Sequence, residues 1–258
     1  MNLISSAANP LVKQARGLAD RKARDRSELF LIEGIHHVGQ AVTAQWPVEA
    51  ILYAPDLLTS TFATDLVERA RSAGCRVEQV AARIMESLSG KENPQGILAI
   101  ARQRYMDAAA LPHFERGVAL VNPQDPGNVG TILRTMDAAG ADVLFLLEGG
   151  VDAYHPTAVR ASMGAIFWKS LMRASFEDLI ALVKARGCKM IGATAHADAA
   201  SPLIGVRPPW ILLLGSEQKG LTPAQLSACD LAVSLPMKGR VSSLNLAVAA
   251  GILLYQLA

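Results

Sequence analysis

The chain has 258 residues, of which 51% are hydrophobic and 19% charged, and its formal net charge is +2. This length suits one large domain or two modest ones, and the composition is that of a soluble, globular protein. No apolar run reaches the roughly 18 residues that a membrane span requires, so we expect no membrane association. The first residues lack a basic segment followed by an apolar one, which argues against a secretory signal.

Cysteine and histidine usage excludes two classes of site. Cys75, Cys188 and Cys229 are odd in number, lie far apart and form no CxxC pair. This pattern fits a reducing environment, and we expect the protein in the cytoplasm. The histidines fall in no HExxH or similar spacing, so the sequence predicts no metal site.

Positive charge is concentrated near the start of the chain. Up to Arg26, six basic residues stand against two acidic ones, whereas from Tyr105 onward twelve basic residues balance twelve acidic ones. A basic cluster can neutralise phosphates, which favours a nucleic-acid partner. A solvated helix face with mixed charges would give the same pattern.

Strands alternate with helices along the first hundred residues. After Asn9-Pro10, residues 11–24 are predicted to form one basic helix. The predicted strands are 28–34, 48–54, 75–80 and 95–101, and the helices between them are 36–44, 62–73 and 82–88. This alternation predicts a small α/β domain over residues 1–101. Residues 102–116, which carry charges and a proline without a clean period, are the predicted linker.

A second α/β domain is predicted over residues 117–258. Its strands are 117–121, 142–147, 166–172, 189–194, 208–215 and 231–236, and its helices are 131–139, 157–163, 176–186, 222–228 and 246–258. The unbroken apolar strand at 142–147 is typical of a sheet covered on both faces. In parallel sheets the ligand lies at the carboxyl ends of the strands. Three such ends carry unusual loops, NPQDPGNVG, GSEQKGLT and PMKGRVSSLN.

The first loop, residues 122–130, leads into a predicted helix. Gly127 and Gly130 would let backbone approach a ligand, and Asn128 is a plausible N-cap. The loop fits neither GxGxxG nor GxxxxGK[ST], so the sequence does not support a dinucleotide or ATP site. Arg134 points away from the apolar face of the helix, as either a site residue or a solvated helix arginine would.

The second loop places Glu217 between Gly215 and Gly220. Two glycines around a carboxylate suggest tight turning of the backbone against a bound group. The same pattern describes an ordinary acidic turn residue.

The third loop leads into the helix at 246–258, which is apolar almost all round. Such a helix must be buried on several sides. Ser242, Ser243 and Asn245 occupy its N-terminal turn. These side chains can cap the helix or supply polar groups to a ligand.

In this order, the three loops resemble the SpoU/TrmH family of knotted (SPOUT) RNA methyltransferases. The first motif of that family is similar to QDPGNVGTILRTMDAAGAD, the second to LLLGSEQKGLT and the third to LPMKGRVSSLNLAVAAGILLYQ, with VRASMGA matching an accessory block. The segments NPLVKQARGL, FLIEG and NPQGILA resemble the family's substrate-binding domain, which has a fold like ribosomal protein L30e. The resemblance covers essentially the whole chain.

The resemblance implies an activity and an architecture. The activity is transfer of a methyl group from S-adenosylmethionine to a ribose 2′-hydroxyl of RNA, with rRNA favoured over tRNA by the two-domain build. The architecture is an α/β fold with a deep trefoil knot in the C-terminal parallel-sheet domain and a small L30e-like N-terminal domain. A homodimer through the C-terminal helix is also implied, and the apolar character of that helix agrees with it.

The motif match carries the family's catalytic arginine onto Arg134 and its partner asparagine onto Asn128. We expect Arg134 to hold the target phosphate and stabilise the developing alkoxide, because a guanidinium stays protonated and cannot serve as a literal base. Asn128 would orient Arg134 or the ribose. Glu217 would orient the loop and the substrate, and Ser243 and Asn245 would lie beside the arginine and the ribose.

Two further sets of site residues are expected. Backbone and apolar groups of the knot loops would form the cofactor pocket; these residues are Thr194, Gly215, Leu235, Met237 and Leu244. Basic side chains would contact RNA phosphates; these residues are Lys13, Arg16, Arg21, Lys22, Arg24 and Arg160. A structural ion pair is the alternative for Arg160.

Three other functions remain open at this point. A non-catalytic RNA-binding protein, such as a ribosome-assembly factor on the same fold, is opposed by the intact site residues. A tRNA-directed 2′-O-methyltransferase would share the motifs. A nucleotide-dependent α/β enzyme acting on a small molecule is opposed by the missing phosphate-loop pattern and by the basic N-terminal helix.

Overall fold

The computed structural model describes residues 3–90, 93–195 and 205–258. Its contacts divide the chain into two compact units. The first unit combines the residues up to Gln103 with Tyr154–Phe167, and the second combines Arg104–Ala153 with Trp168–Ala258. The later segment joins the first unit through its aromatic rings, since Tyr154 and Phe167 lie 4.5 and 6.5 Å from the ring of Phe30.

The first unit contains a four-stranded sheet in the order β1-β4-β2-β3. The strands are β1 (Leu29–Glu33), β2 (Val48–Tyr53), β3 (Arg76–Gln79) and β4 (Ile97–Arg102). Strand β4 runs antiparallel to β1 and β2, and β3 runs parallel to β2. The helices are α1 (Pro10–Gly17), α2 (Arg21–Ser27), α3 (Ile35–Thr43), α4 (Thr61–Ser72) and α5 (Ala82–Leu88). Apolar residues of α1 and α5 pack with those of the sheet in one core cluster.

The single basic helix predicted over residues 11–24 is wrong, because the chain forms two helices there. Helix α1 ends at Gly17, and a turn separates it from α2. The turn is held by Arg24, whose Nη1 donates to the carbonyl oxygens of Leu18 and Ala19, each at 2.9 Å. Arg24 is only 1% exposed. A residue predicted to contact RNA phosphates is therefore part of the interior.

The second unit contains a six-stranded sheet in the order β10-β8-β9-β5-β6-β7, and every pairing in it is parallel. The strands are β5 (Arg116–Val121), β6 (Val143–Leu147), β7 (Ser170–Ala174), β8 (Lys189–Ala193), β9 (Trp210–Leu214) and β10 (Leu231–Val233). The helices are α6 (Pro126–Ala138), α7 (Pro156–Ala161, in the segment that joins the first unit), α8 (Phe176–Arg186), α9 (Pro223–Ser227) and α10 (Leu246–Leu257). The predicted α/β fold with a parallel C-terminal sheet is confirmed.

The strand order creates a switch point between β5 and β9. From β5 the chain proceeds outward through β6 to β7, whereas from β9 it proceeds to β10 at the opposite edge. The loops that follow β5 and β9 therefore leave neighbouring strands and lead toward opposite ends of the strand order. The loop after β10 leads into α10, which packs against α6. All three unusual loops thus lie on the side of the sheet where the strands have their carboxyl ends.

Three predictions of local structure were inaccurate. Helix α6 begins at Pro126, five residues before the predicted start at 131, because Asp125 is its N-cap and accepts from the N–H of Gly127 at 2.7 Å. Asn128, suggested as the N-cap, lies inside the helix and is buried. The predicted strand at 166–172 is a 3₁₀ turn (Ala165–Phe167) followed by β7.

Helix α10 is buried along one side of the single chain. Ala250, Leu253, Leu254 and Leu257 lie in the interior, whereas Val248, Ile252 and Tyr255 share one face and are 51%, 40% and 63% exposed. Within the described parts of the chain, no helix has both the length and the apolar character needed to cross a membrane.

Candidate functional site

A cavity of about 820 Å³ opens at the carboxyl ends of β8, β9 and β10. Cofactor and small-molecule sites typically enclose roughly 300–1,000 Å³, so the size suits a ligand of that class. The five residues predicted to hold a cofactor all line this cavity, namely Thr194, Gly215, Leu235, Met237 and Leu244. Glu217, Ser243 and Asn245 line it as well.

The cavity wall after β9 depends on glycine at position 215. A Cβ atom there would lie 2.0 Å from the carbonyl carbon of Gly220 and 2.3 Å from the nitrogen of Leu221. The loop folds back this closely because the N–H of Gly220 donates to the carbonyl of Ser216 at 2.9 Å. Gly220 itself has a φ of +65°, which glycine adopts without strain. The two glycines flanking Glu217 therefore serve a tight backbone turn.

Glu217 is bound to the start of α6. Its Oε2 accepts from the N–H of Gln124 at 3.1 Å, and its Oε1 accepts from the N–H of Asp125 at 3.3 Å and from Nδ2 of Asn128 at 3.2 Å. Partial burial alone would raise the pKa of Glu217, but the hydrogen bonds from its own backbone, Asn128, Gln124 and Asp125 outweigh burial and lower that pKa below its ordinary value. Glu217 is therefore an anion whose lone pairs are occupied.

Asn128 and Asn245 extend this contact to the third loop. Asn128 is 6% exposed, and its Oδ1 accepts from Nδ2 of Asn245 at 2.9 Å. Asn245 is the N-cap of α10, because its Oδ1 accepts from the N–H of Ala247 at 2.9 Å and of Val248 at 3.3 Å. One hydrogen-bonded chain thus joins the three loops. The suggested capping role of Ser242 and Ser243 falls to Asn245 instead.

Arg134 and Ser243 lie at solvent-exposed positions of the same unit. Arg134 is on the exposed side of α6, and it has no hydrogen-bond or ion-pair partner among the residues that the structure describes. Ser243 is exposed at the cavity wall, two residues before the cap of α10. An uncommitted guanidinium can receive an anionic ligand without first breaking a protein contact.

The predicted RNA contacts of the first unit separate into exposed residues and one buried residue. Lys13, Arg16, Arg21 and Lys22 are exposed. Arg24 is corrected here: its guanidinium is bound to backbone carbonyls in the interior and is not available to a phosphate.

Arg160 lies in the last turn of α7 and is exposed. It forms no ion pair with any residue in the described ranges, so the structural alternative for it gains no support. Its backbone carbonyl lies 3.1 Å from Nε2 of His37, which attaches α7 to α3 within the first unit.

Sequence reasoning missed three cations near the cavity. Lys219 lines the cavity, and Lys238 and Arg240 are exposed on the loop between Met237 and Ser242. Their signal was visible as positive charge inside two of the three strand-end loops. In the described ranges, no group of three or more His, Cys, Asp or Glu side chains is arranged to hold a metal ion.

Comparison with protein-family models gives two matches. Residues 115–255 match the SpoU rRNA Methylase family, and residues 9–99 match the MRM3-like substrate binding domain. The two matches cover most of the chain, and the SpoU match begins within the last two residues of the predicted linker.

Similar characterised proteins extend over nearly the full chain. The 23S rRNA (guanosine(2553)-2′-O)-methyltransferase RlmP of Bacillus subtilis (strain 168) is 32% identical, with 100% of this chain and 99% of the relative covered. The 23S rRNA (uridine(2479)-2′-O)-methyltransferase of Streptomyces viridochromogenes is 33% identical, with 93% and 85% covered. The crystal structure of an AdoMet-bound rRNA methyltransferase from Sinorhizobium meliloti superposes with a TM-score of 0.87 at 32% identity, covering 99% of this chain and 96% of that one.

Proposed function

The chain belongs to the SpoU rRNA methylase family, and we propose that it transfers a methyl group from S-adenosylmethionine to a ribose 2′-hydroxyl of ribosomal RNA. The observation that carries this proposal is a set of hydrogen bonds that holds the three motif loops together beside one cavity, which the second and third loops line. Asn128 from the first loop donates to Glu217 from the second and accepts from Asn245 from the third. Two relatives that span nearly the whole chain act on 23S rRNA by name, which favours rRNA over tRNA.

The residues around the cavity fit S-adenosylmethionine. Leu235, Met237 and Leu244 offer apolar surface to a flat purine, and backbone at the strand ends after β8 and β9 offers hydrogen-bonding groups to its edge. The chemistry supplied there by the bound cofactor is an electrophilic methyl group on sulfur. Two solved structural neighbours at 31–32% identity are described as AdoMet complexes, which supports the assignment.

The protein's task is to place and activate a weak nucleophile. We assign Arg134 to the phosphate of the target nucleotide and to the negative charge that develops on the 2′-oxygen, since a fixed guanidinium stabilises such charge without accepting a proton. Glu217 is a poor candidate for the base, because its lone pairs are occupied and its pKa is lowered. The hydroxyl proton therefore leaves to water or to the RNA phosphate.

Finer features of the architecture follow from the same assignment. We propose that the second unit contains the deep trefoil knot of the family, with the loops around the cavity forming it. We also propose an L30e-like fold for the N-terminal domain, in support of which residues 9–99 match a substrate-binding domain. In this arrangement the exposed Lys13, Arg16, Arg21 and Lys22 bind RNA phosphates, as does Arg160. The free thiols of the three cysteines agree with the cytoplasm.

A homodimer through α10 is part of the proposal. Val248, Ile252 and Tyr255 present an exposed apolar face, and a shallow cavity of about 480 Å³ beside them extends to Thr131 of α6. A second copy would cover this face. Ile252→Glu should then halve the mass measured by light scattering during gel filtration. Retention of the dimer mass in that variant would move the interface elsewhere.

Mapping of 2′-O-methyl groups in total RNA tests the function. Cells lacking the protein should lose methylation at one rRNA ribose, and the wild-type gene should restore it whereas an Arg134→Ala gene should not. Loss at a tRNA position would favour the tRNA-directed alternative. An unchanged map, together with no heat of S-adenosylmethionine binding in calorimetry, would favour a non-catalytic RNA-binding protein.

A further inference from the structure

The hydrogen-bonded chain through the three loops has an end that only accepts hydrogen bonds and an end that only donates them. At one end the carboxylate of Glu217 can only accept hydrogen bonds. At the other end the backbone N–H groups of Ala247 and Val248 can only donate. The two asparagine amides between these ends must therefore point in one direction.

The distances assign each amide atom. Nδ2 of Asn128 donates to Glu217, so its Oδ1 faces Asn245 and must meet a donor there. Nδ2 of Asn245 is that donor, and its Oδ1 accepts from the start of α10. Turning either amide over would bring two donors or two acceptors together. For the buried Asn128 no solvent would compensate such a mismatch.

A count of hydrogen-bonding capacity shows what Asn245 has left. Both acceptor positions of its Oδ1 are used by Ala247 and Val248, and one of its two amide hydrogens is used by Asn128. One N–H remains, on a side chain that lines the cavity. Asn245 can therefore act only as a donor toward a bound molecule.

We propose that Asn245 donates this hydrogen bond to the ribose 2′-oxygen, with Glu217 and Asn128 as positioning residues that fix its direction. This inference rests on the proposed function. As the new oxygen–carbon bond forms and the sulfur–carbon bond breaks, the hydroxyl proton passes to water or to the RNA phosphate. The N–H of Asn245 stabilises the oxygen that loses the proton. The same chain holds the first and second loops against the N-terminus of α10.

Isosteric substitutions separate this role from helix capping. Asn245→Asp keeps a good N-cap for α10 but removes the donor, and it places an acceptor against Oδ1 of Asn128. Glu217→Gln provides a donor at the other end. In the double variant the amide of Asn128 can flip. Its Oδ1 then accepts from the introduced glutamine, and its Nδ2 donates to the introduced aspartate. In either orientation the glutamine NH2 opposes one backbone N–H, that of Gln124 in the single variant and that of Asp125 in the double variant, so this cost is similar in both and largely cancels in the comparison.

Urea unfolding of the wild type, the two single variants and the double variant measures the contribution of the hydrogen-bonded chain in the absence of RNA. Each single substitution should lower the folded-to-unfolded ratio about tenfold, and the double variant should lose clearly less than the product of the two. Asn9→Asp is the matched control. Asn9 caps α1, because its Oδ1 accepts from the N–H of Leu11 at 2.9 Å, and among the described residues it does not belong to a chain of hydrogen-bonded side chains. Its ratio should change less than about twofold. Additive losses in the double variant would overturn the fixed direction.

Methyl transfer to rRNA measures the donor role. Asn245→Asp and the double variant should both lose about 100-fold or more in kcat, with cofactor affinity changed only a few-fold. Recovery of kcat in the double variant would overturn the donor role, because capping and loop contacts alone would then suffice. A wild-type protein that methylates no ribose would refute the proposed function and the donor role. The urea measurements on the four proteins would still decide the direction of the hydrogen bonds from Asn245 through Asn128 to Glu217.

Discussion

Replacing Gly215 by alanine should close the cavity from its β9 side. The added Cβ would lie 2.0 Å from the carbonyl carbon of Gly220 and 2.4 Å from its oxygen, whereas real Cβ contacts essentially never fall below 3.0 Å. The obstructing atoms belong to the backbone, so no side-chain rotation relieves the overlap. The loop must therefore move away by at least about 1 Å, which is the difference between the 2.0 Å separation and the 3.0 Å limit.

The energetic cost has two parts. Overpacking of this kind costs about 1–3 kcal/mol. Loss of the hydrogen bond from Gly220 to Ser216 adds about 1 kcal/mol. For a chain of this size, each 1 kcal/mol lowers Tm by roughly 2–4 °C, so Gly215→Ala should melt roughly 5–15 °C below the wild type. Because the displaced loop forms a wall of the cavity, affinity for S-adenosylmethionine should fall about tenfold or more.

Thermal unfolding and calorimetric titration with S-adenosylmethionine measure both effects. Gly220→Ala is the matched control, since a Cβ there meets no atom within 4 Å and the cost is only the strain of its φ of +65°, about 1 kcal/mol. The control should lose much less affinity than Gly215→Ala. Wild-type affinity in Gly215→Ala would refute the placement of the cofactor against this loop.

Three further predictions concern charged residues. Arg134→Ala should abolish methyl transfer while calorimetry still detects cofactor binding; retained turnover on the target RNA would remove Arg134 from the mechanism. Arg24→Ala should lower the free energy of unfolding by about 1–3 kcal/mol, because two backbone carbonyls lose their donor, whereas the exposed Arg21→Ala should leave urea unfolding nearly unchanged. The folded state lowers the pKa of Glu217, so its contribution to stability is complete above the ordinary pKa of 4.5 and is lost as the pH falls through the lowered value. The stability difference between wild type and Glu217→Gln should therefore shrink in acid; a constant difference from pH 7 to pH 3 would contradict this role.

The site residues could be predicted from the sequence more accurately than the local structure around them. Alternation of apolar runs predicted the parallel sheet, and the strand-end rule then brought the three loops to one edge. The prediction of Asn128 as the cap of α6 was wrong, because Asp125, which is an equally good capping residue type, takes that position. The position of Pro126 was the available signal, since proline favours the first helical turn.

Three features were beyond any local pattern. The burial of Arg24 depends on a turn after Gly17 that frees carbonyls for its guanidinium, and charge patterning cannot show that contact. The packing of Tyr154–Phe167 with the first unit depends on the ring of Phe30, more than a hundred residues earlier in the chain. The chain from Glu217 through Asn128 likewise required coordinates, because residue types alone do not fix hydrogen-bond direction.

The most direct test of the function is methyl transfer in vitro with a ribose-specific readout. Purified protein, S-adenosylmethionine labelled on its methyl group and unmodified rRNA should yield label at one nucleotide. After digestion to nucleosides, the label should remain on the ribose 2′-oxygen, and Arg134→Ala should transfer none. Label on a base, or no label on any ribosomal RNA, would contradict the account.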